Sequence, residues 1–128
     1  MQFMTLDQLL QLHALILSRD GGSDGVRDVG RLEAVIATQH QEVFGEELYH
    51  GAHEKAAALI RGIICDHPFA DGNKRTAMLI GLTFIEVNGY QFKAKKGEIE
   101  DFAVSVATSH LDVAAIAAWL KVHSKVKP

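Results

Sequence analysis

The stretch "HPFADGNKR", His67 to Arg75, places an imidazole, a carboxylate, a glycine and two cations within nine residues. Proline at 68 biases His67 away from helical geometry, so the imidazole sits in a loop. Phe69 offers an anchor into a core and Asp71 a carboxylate. Gly72 supplies a backbone free to turn tightly, so that the amides from about Gly72 to Arg75 can point together out of the first turn of a following helix. Such a turn is an anion cradle, because its orphan N–H groups and a helix dipole equivalent to about half a positive charge attract phosphate. Lys74 and Arg75 oppose that dipole and cost helix stability unless an anion neutralises the cluster, which favours a phosphate ligand. Asp71 can hold a magnesium ion bridging phosphate oxygens, since this hard cation takes carboxylate and phosphate ligands. His67 can act as general base on an incoming hydroxyl, the unperturbed imidazole pKa of about 6.5 being close to working pH.

Each of these residues also has an ordinary structural use: a loop histidine, an aspartate N-cap, a glycine turn, two solvated cations. The combination in nine residues favours a reaction centre over a helix start alone. Other chemically suggestive residues carry less. Cys65 near His67 has no second base partner and reads as a small core residue. His50 and His53 in "HGAHE" lack a further ligand set at zinc-site spacing and read as a flexible loop pair. "KAKKGE", Lys93 to Glu98, has only three cations and reads as an exposed connector. His13, His40, His110 and His123 receive no role.

The elements that must position the stretch follow from hydrophobic spacing. Thr5 to Ser18 is helical, with Leu6, Leu9, Leu10, His13, Ile16 and Leu17 on one face and Thr5 with Gln8 as a capping box. Arg19 to Gly30, rich in glycine and aspartate, is a loop long enough to suggest a function. A helix from about Arg31 to Gln41 follows, with Asp28 as a candidate cap, then an alanine-rich one from Gly51 or Glu54 to Cys65 that leads into the stretch. Asn73 to Asn88 is apolar on nearly all faces after one polar turn, which marks a central, surrounded helix ended by Gly89. Glu98 to Thr108 and Asp112 to about Val122 are amphipathic, Trp119 is assigned to the core, and Lys121 to Lys127 to a solvated helix terminus. The pattern predicts an all-α fold of about six helices in a single domain, residues 1–128, because alternating strand patterns are nearly absent and no composition break divides the chain.

Composition narrows the function. A chain of 128 residues with 48% hydrophobic and 23% charged residues is an ordinary globular domain. The formal net charge of -3 opposes direct nucleic-acid binding, which needs a basic field to neutralise phosphates. A single cysteine excludes an internal disulfide framework and suits a reducing compartment. With no long uncharged apolar run and no basic leader before an apolar segment, the expectation is a cytoplasmic protein with no membrane partner.

"HPFADGNKRT" resembles the core motif of the Fic/Doc family, His-x-Phe-x-Asp/Glu-Gly/Ala-Asn-x-Arg, matched by His67, Phe69, Asp71, Gly72, Asn73 and Arg75. The small size, the "GRLEAVI" helix after a glycine-rich loop and the final helices resemble the death-on-curing (Doc) toxin branch. Members transferring AMP typically carry a second glycine where this chain has Lys74, whereas Doc-like members carry the lysine. The resemblance therefore implies ATP and magnesium as cofactors and transfer of the γ-phosphate to a Thr or Ser hydroxyl of a translation elongation factor. It implies His67 as base, Asp71 as the magnesium and phosphate-positioning acid, Lys74 and Arg75 as charge stabilisers, and Asn73 as a holder of the loop or the phosphate. Gly72 would join Asn73, Lys74 and Arg75 in the nucleotide cradle. The glycine-rich loop, with Gly22, Gly25, Val26 and Arg27, would be a flap that docks the target backbone in extended form. Some relatives silence themselves with a Ser/Thr-x-x-x-Glu-Gly/Asn helix; "TQHQEV", Thr38 to Val43, ends in valine and reads as coincidence. The expected inhibitor is then a separate antitoxin that folds on binding over the site. The alternatives are AMP transfer by the same fold, or a non-catalytic nucleotide-binding module.

Overall fold

The computed structural model describes all 128 residues. Helix α1 spans Leu6–Asp20, opened by the Thr5–Gln8 capping box, with Leu9, His13 and Ile16 buried. Helix α2, Val29–Ala37, starts where the Asp28 carboxylate accepts the amide of Arg31. It ends four residues earlier than its sequence suggests and gives way to a 3-10 turn, Thr38–His40. The reason is local competition: the Thr38 hydroxyl donates to the Val35 carbonyl, and the buried Gln39 amide is drawn away to Met4 and Ile36.

Helix α3, Gly51–Asp66, is the most enclosed element, and α4, Asn73–Val87, packs along it. Their close approach rests on small residues: Gly81 of α4 lies against Ile60 and the Ala56 carbonyl, and Ala56, Ala57 and Ile60 of α3 are fully buried. Helices α5, Glu98–Ser109, and α6, Val113–Val122, close the other side of the core with Phe102, Val106, Ile116 and Leu120. Trp119 is only half-buried, with its indole stacked on Phe102 at 4.0 Å. The all-α expectation holds, with a central α4 directly after the motif loop.

Two small antiparallel pairs were not legible in the hydrophobic pattern. Strands β1, Glu42–Val43, and β2, Glu46–Glu47, form a hairpin through Phe44 and Gly45. The buried Lys55 ammonium anchors it, donating to the Gln39 carbonyl at 2.6 Å and pairing with Glu47 at 3.4 Å. Strand β3, Tyr90–Phe92, pairs with β4, Ser124–Val126. This corrects the reading of Lys121 to Lys127 as a solvated helix end: α6 stops at Val122 and the chain runs back as a strand. The Lys127 amide donates to the Gly89 carbonyl and the Lys93 amide to that of His123, which satisfies backbone groups a frayed helix would leave to water. Two further sequence readings change. Cys65 is exposed rather than core, and His53 is buried in α3, its Nε2 on the Ser124 hydroxyl at 2.8 Å, rather than in a flexible loop. No helix is long and apolar enough to cross a membrane.

Candidate active site

The motif is a loop of six residues, 67–72, between the end of α3 and the start of α4, with both ends set by left-handed backbone. His67 closes α3 at φ 48, ψ 58, and Gly72 opens α4 at φ 74, ψ 20. Phe69 is buried as expected, and Asn73 staples the loop to itself: Phe69 N–H donates to its Oδ1 at 3.1 Å while its Nδ2 donates to the Phe69 carbonyl at 3.0 Å. The Asn73 side chain is thus committed to the loop rather than to a ligand.

Asp71 does not cap α4. Its Oδ1 accepts the Gly72 amide at 2.8 Å and its Oδ2 the Ser23 amide at 3.3 Å. Those two backbone donors hold its carboxyl below the usual carboxylate range against an opposing desolvation, with smaller contributions from the nearby Arg75 and His13. The Gly72 amide is therefore spent, and no side chain caps the helix behind it. Only the amides of Asn73, Lys74 and Arg75 remain without partners, because the first helical bond runs from Thr76 N–H to the Gly72 carbonyl. The cradle is three amides wide, one fewer than the sequence suggested, and its loss traces directly to Asp71.

The glycine-rich loop, now residues 21–28, lies along the motif as an antiparallel partner. Val26 faces Phe69 in an isolated bridge, the Ala70 amide donates to the Gly25 carbonyl, and the Arg27 and Asp28 amides both donate to the Pro68 carbonyl. Alternation along this short extended piece turns the Val26 N–H and C=O the other way, where neither has a partner. Gly22, at φ +125, passes so close to Asp71 that a Cβ there would sit 2.8 Å from Oδ2.

Two supporting residues had no signal in the motif. His13 is buried, stacks on Phe69 with ring centroids 3.7 Å apart, and donates its Nε2–H to the Asp71 carbonyl at 3.0 Å. Its place on the apolar face of α1 was the one available hint. Asp20, the last residue of α1, reaches Arg75 with its carboxylate 3.3 Å from Nη1.

His67, Asp71, Gly72, Asn73, Lys74 and Arg75 all line one cavity of about 640 Å³, together with Arg19 and Asp20 on the polar side and an apolar wall including Met78, Leu82, Ile99 and Val104. The flap residues Gly22, Gly25, Val26 and Arg27 border the motif loop but do not line that cavity. The His67 ring is exposed and makes no hydrogen bond within the chain, so both nitrogens are free to meet a ligand. No group of three or more His, Cys, Asp or Glu side chains is placed to hold a metal ion by itself. The exposed carboxylate of Asp71, beside free amides and two cations, suits a hard ion whose other ligands come with a phosphate, and Asp20 and Glu100 line the same cavity.

The sequence is also similar to known proteins. The profile of the Fic/DOC family matches residues 3–85. A protein named Toxin Doc from Mycolicibacterium smegmatis is 40% identical over 102 residues, covering 78% of this chain and 78% of that protein. Protein kinase doc of Escherichia phage P1 is 34% identical over 121 residues, covering 94% of both chains.

Proposed function

The chain belongs to the Fic/Doc family, and from that membership we propose that it is a Doc-like toxin, a protein kinase that moves the γ-phosphate of ATP to a Thr or Ser hydroxyl of a translation elongation factor. The observation that carries the proposal is the three-amide cradle at the start of α4, flanked by Lys74 and Arg75 and facing His67 and Asp71 across one cavity. The names of the two relatives, a toxin and a protein kinase, support the class.

In this reading the free amides of Asn73, Lys74 and Arg75 bind phosphate oxygens, and the two side-chain cations stabilise the charge that builds up as the γ-phosphoryl group transfers. His67 takes the proton from the target hydroxyl, whose oxygen bonds to the γ-phosphorus as the bond to the β,γ-bridging oxygen breaks and ADP leaves. Asp71 would hold magnesium, which when bound neutralises charge on the phosphate oxygens. The unpartnered N–H and C=O of Val26 offer a short edge on which an extended target segment can add as a strand, so Gly22, Gly25, Val26 and Arg27 serve docking rather than chemistry. The inhibitory partner is a separate antitoxin that covers the cavity, and residues 1–128 act as one domain.

The test is to incubate the protein with magnesium-ATP and a purified bacterial elongation factor, then weigh the target. A gain of one phosphate supports the kinase. A gain of one AMP sinks it in favour of AMP transfer, and an unchanged mass with wild type as with His67→Ala favours a non-catalytic nucleotide-binding module.

A further inference from the structure

Resting on the phosphate-site reading above, we propose that Asp20 is an affinity-setting residue, a built-in counter-anion that occupies Arg75 until a phosphate displaces it. Asp20 ends α1 and Arg75 lies in the first turn of α4, 55 positions along the chain, yet their side chains meet at 3.3 Å inside the cavity lined by His67, Asp71 and Lys74.

Folding gains little from this pair. The two side chains remain 46% and 31% exposed and touch through one oxygen and one nitrogen, a geometry whose net contribution to stability is small. Its effect on a ligand is larger. Arg75 follows Asn73 and Lys74 at the N-terminal turn of α4, where a cation opposes the helix dipole, and Asp20 adds a negative charge in direct contact with it to that of the nearby Asp71. A phosphate seated on the free amides brings its own negative charge to the same guanidinium. Two anions on one cation repel, so phosphate entry must either separate Asp20 from Arg75 or leave the carboxylate beside the ligand. In both cases Asp20 weakens anion binding. It thereby keeps the site from holding phosphates tightly, which favours turnover over retention of product. Asp20 does not touch the reacting atoms in this account; it acts through Arg75 and is a positioning residue.

The experiment is calorimetric titration of magnesium-ATP, and separately of inorganic phosphate, into wild type, Asp20→Asn, Asp20→Glu, Arg75→Ala and the double variant Asp20→Asn/Arg75→Ala, each first shown to be folded by circular dichroism. Asp20→Asn is expected to bind both ligands roughly fivefold more tightly than wild type, as loss of a half-exposed competing charge allows. Asp20→Glu should stay near wild type. In the Arg75→Ala background the gain should shrink to less than twofold, because coupled residues are non-additive. In turnover, Asp20→Asn should lower the KM for ATP without raising kcat. Unchanged or weaker binding by Asp20→Asn would overturn the proposal, and so would an equal gain in both backgrounds, which would make Asp20 a general field charge. If wild type binds phosphate but not magnesium-ATP, the kinase reading fails while the phosphate titrations still decide the role of Asp20. If wild type binds neither, both fail.

Discussion

In the proposed reaction, His67 is the residue whose loss separates chemistry from binding. Replacing it with alanine should lower target modification roughly a hundredfold or more, the usual worth of a positioned base, while the affinity for magnesium-ATP stays within twofold because the amides and cations remain. Loss of affinity in step with activity would contradict its assignment. The pH dependence follows from the same division of labour. Hydrogen bonds from the Gly72 and Ser23 amides lower the Asp71 pKa, so Asp71 is ionised above its ordinary value of 3.8 and loses that stabilisation only as pH falls through the lowered one. The Asp71 carboxyl should therefore titrate below 3.8 when followed by NMR, and a midpoint above that value would contradict these hydrogen bonds. Gly22→Ala is a third residue-scale test: its Cβ would press on Asp71 Oδ2 and Leu17 at a φ that L residues avoid. It should cost about 1–2 kcal/mol of stability and reduce turnover more than that loss explains, measured by melting and by single-turnover modification. The motif residues were legible because their types sit side by side in sequence. His13, Asp20 and Ser23 were not, since each reaches the motif from about 48 to 58 positions away and carries no local signature.

At the scale of elements, the six helices could be read from caps and apolar spacing because those signals are local: Thr5, Asp28 and Asp112 each accept the amide three residues on. The strand pairs could not, since two or three residues carry no usable alternation and β3 finds its partner more than thirty residues later at the C-terminal end. Cys65 shows the same gap in reverse, an apolar residue type whose outward position depends on which face α3 turns to its neighbours. The contact between α3 and α4 makes a sharp prediction at Gly81. Alanine there gains about 1 kcal/mol in helix propensity, but its methyl collides with the side chain of Ile60, which is fully buried. Overpacking of this kind costs about 1–3 kcal/mol and should win, so Gly81→Ala should melt lower than wild type; a higher Tm would show that the interface yields. The start of α5 carries a pH signature. Glu98 accepts the Lys95 amide and bonds His123 Nε2, and both contacts hold its carboxyl below its ordinary 4.5. That stabilisation is present above pH 4.5 and is lost as pH falls through the lowered value, so the wild-type Tm should drop more steeply than that of Glu98→Gln over this acid range.

For the whole molecule, the organisation is a helical core whose edge carries one polar cavity, with α1 and the flap folded over the motif loop from outside. The loop is held by Asn73 from within and by His13, Gly25 and Arg27 from across the fold, so its cradle is set before any ligand arrives. Such preorganisation is what electrostatic stabilisation of phosphoryl transfer requires, because the donors need no rearrangement when charge develops. Expression in bacteria should accordingly arrest growth, and His67→Ala or Asp71→Ala should relieve the arrest; equal toxicity of both variants would place the harm outside this cavity. The central claim is that the γ-phosphorus, rather than the α-phosphorus, reaches the target. It is tested most directly by incubating the protein and a purified elongation factor with ATP radiolabelled either at the γ or at the α position. The account predicts label on the target from γ-labelled ATP alone, absent with His67→Ala, whereas label carried over from α-labelled ATP would contradict it.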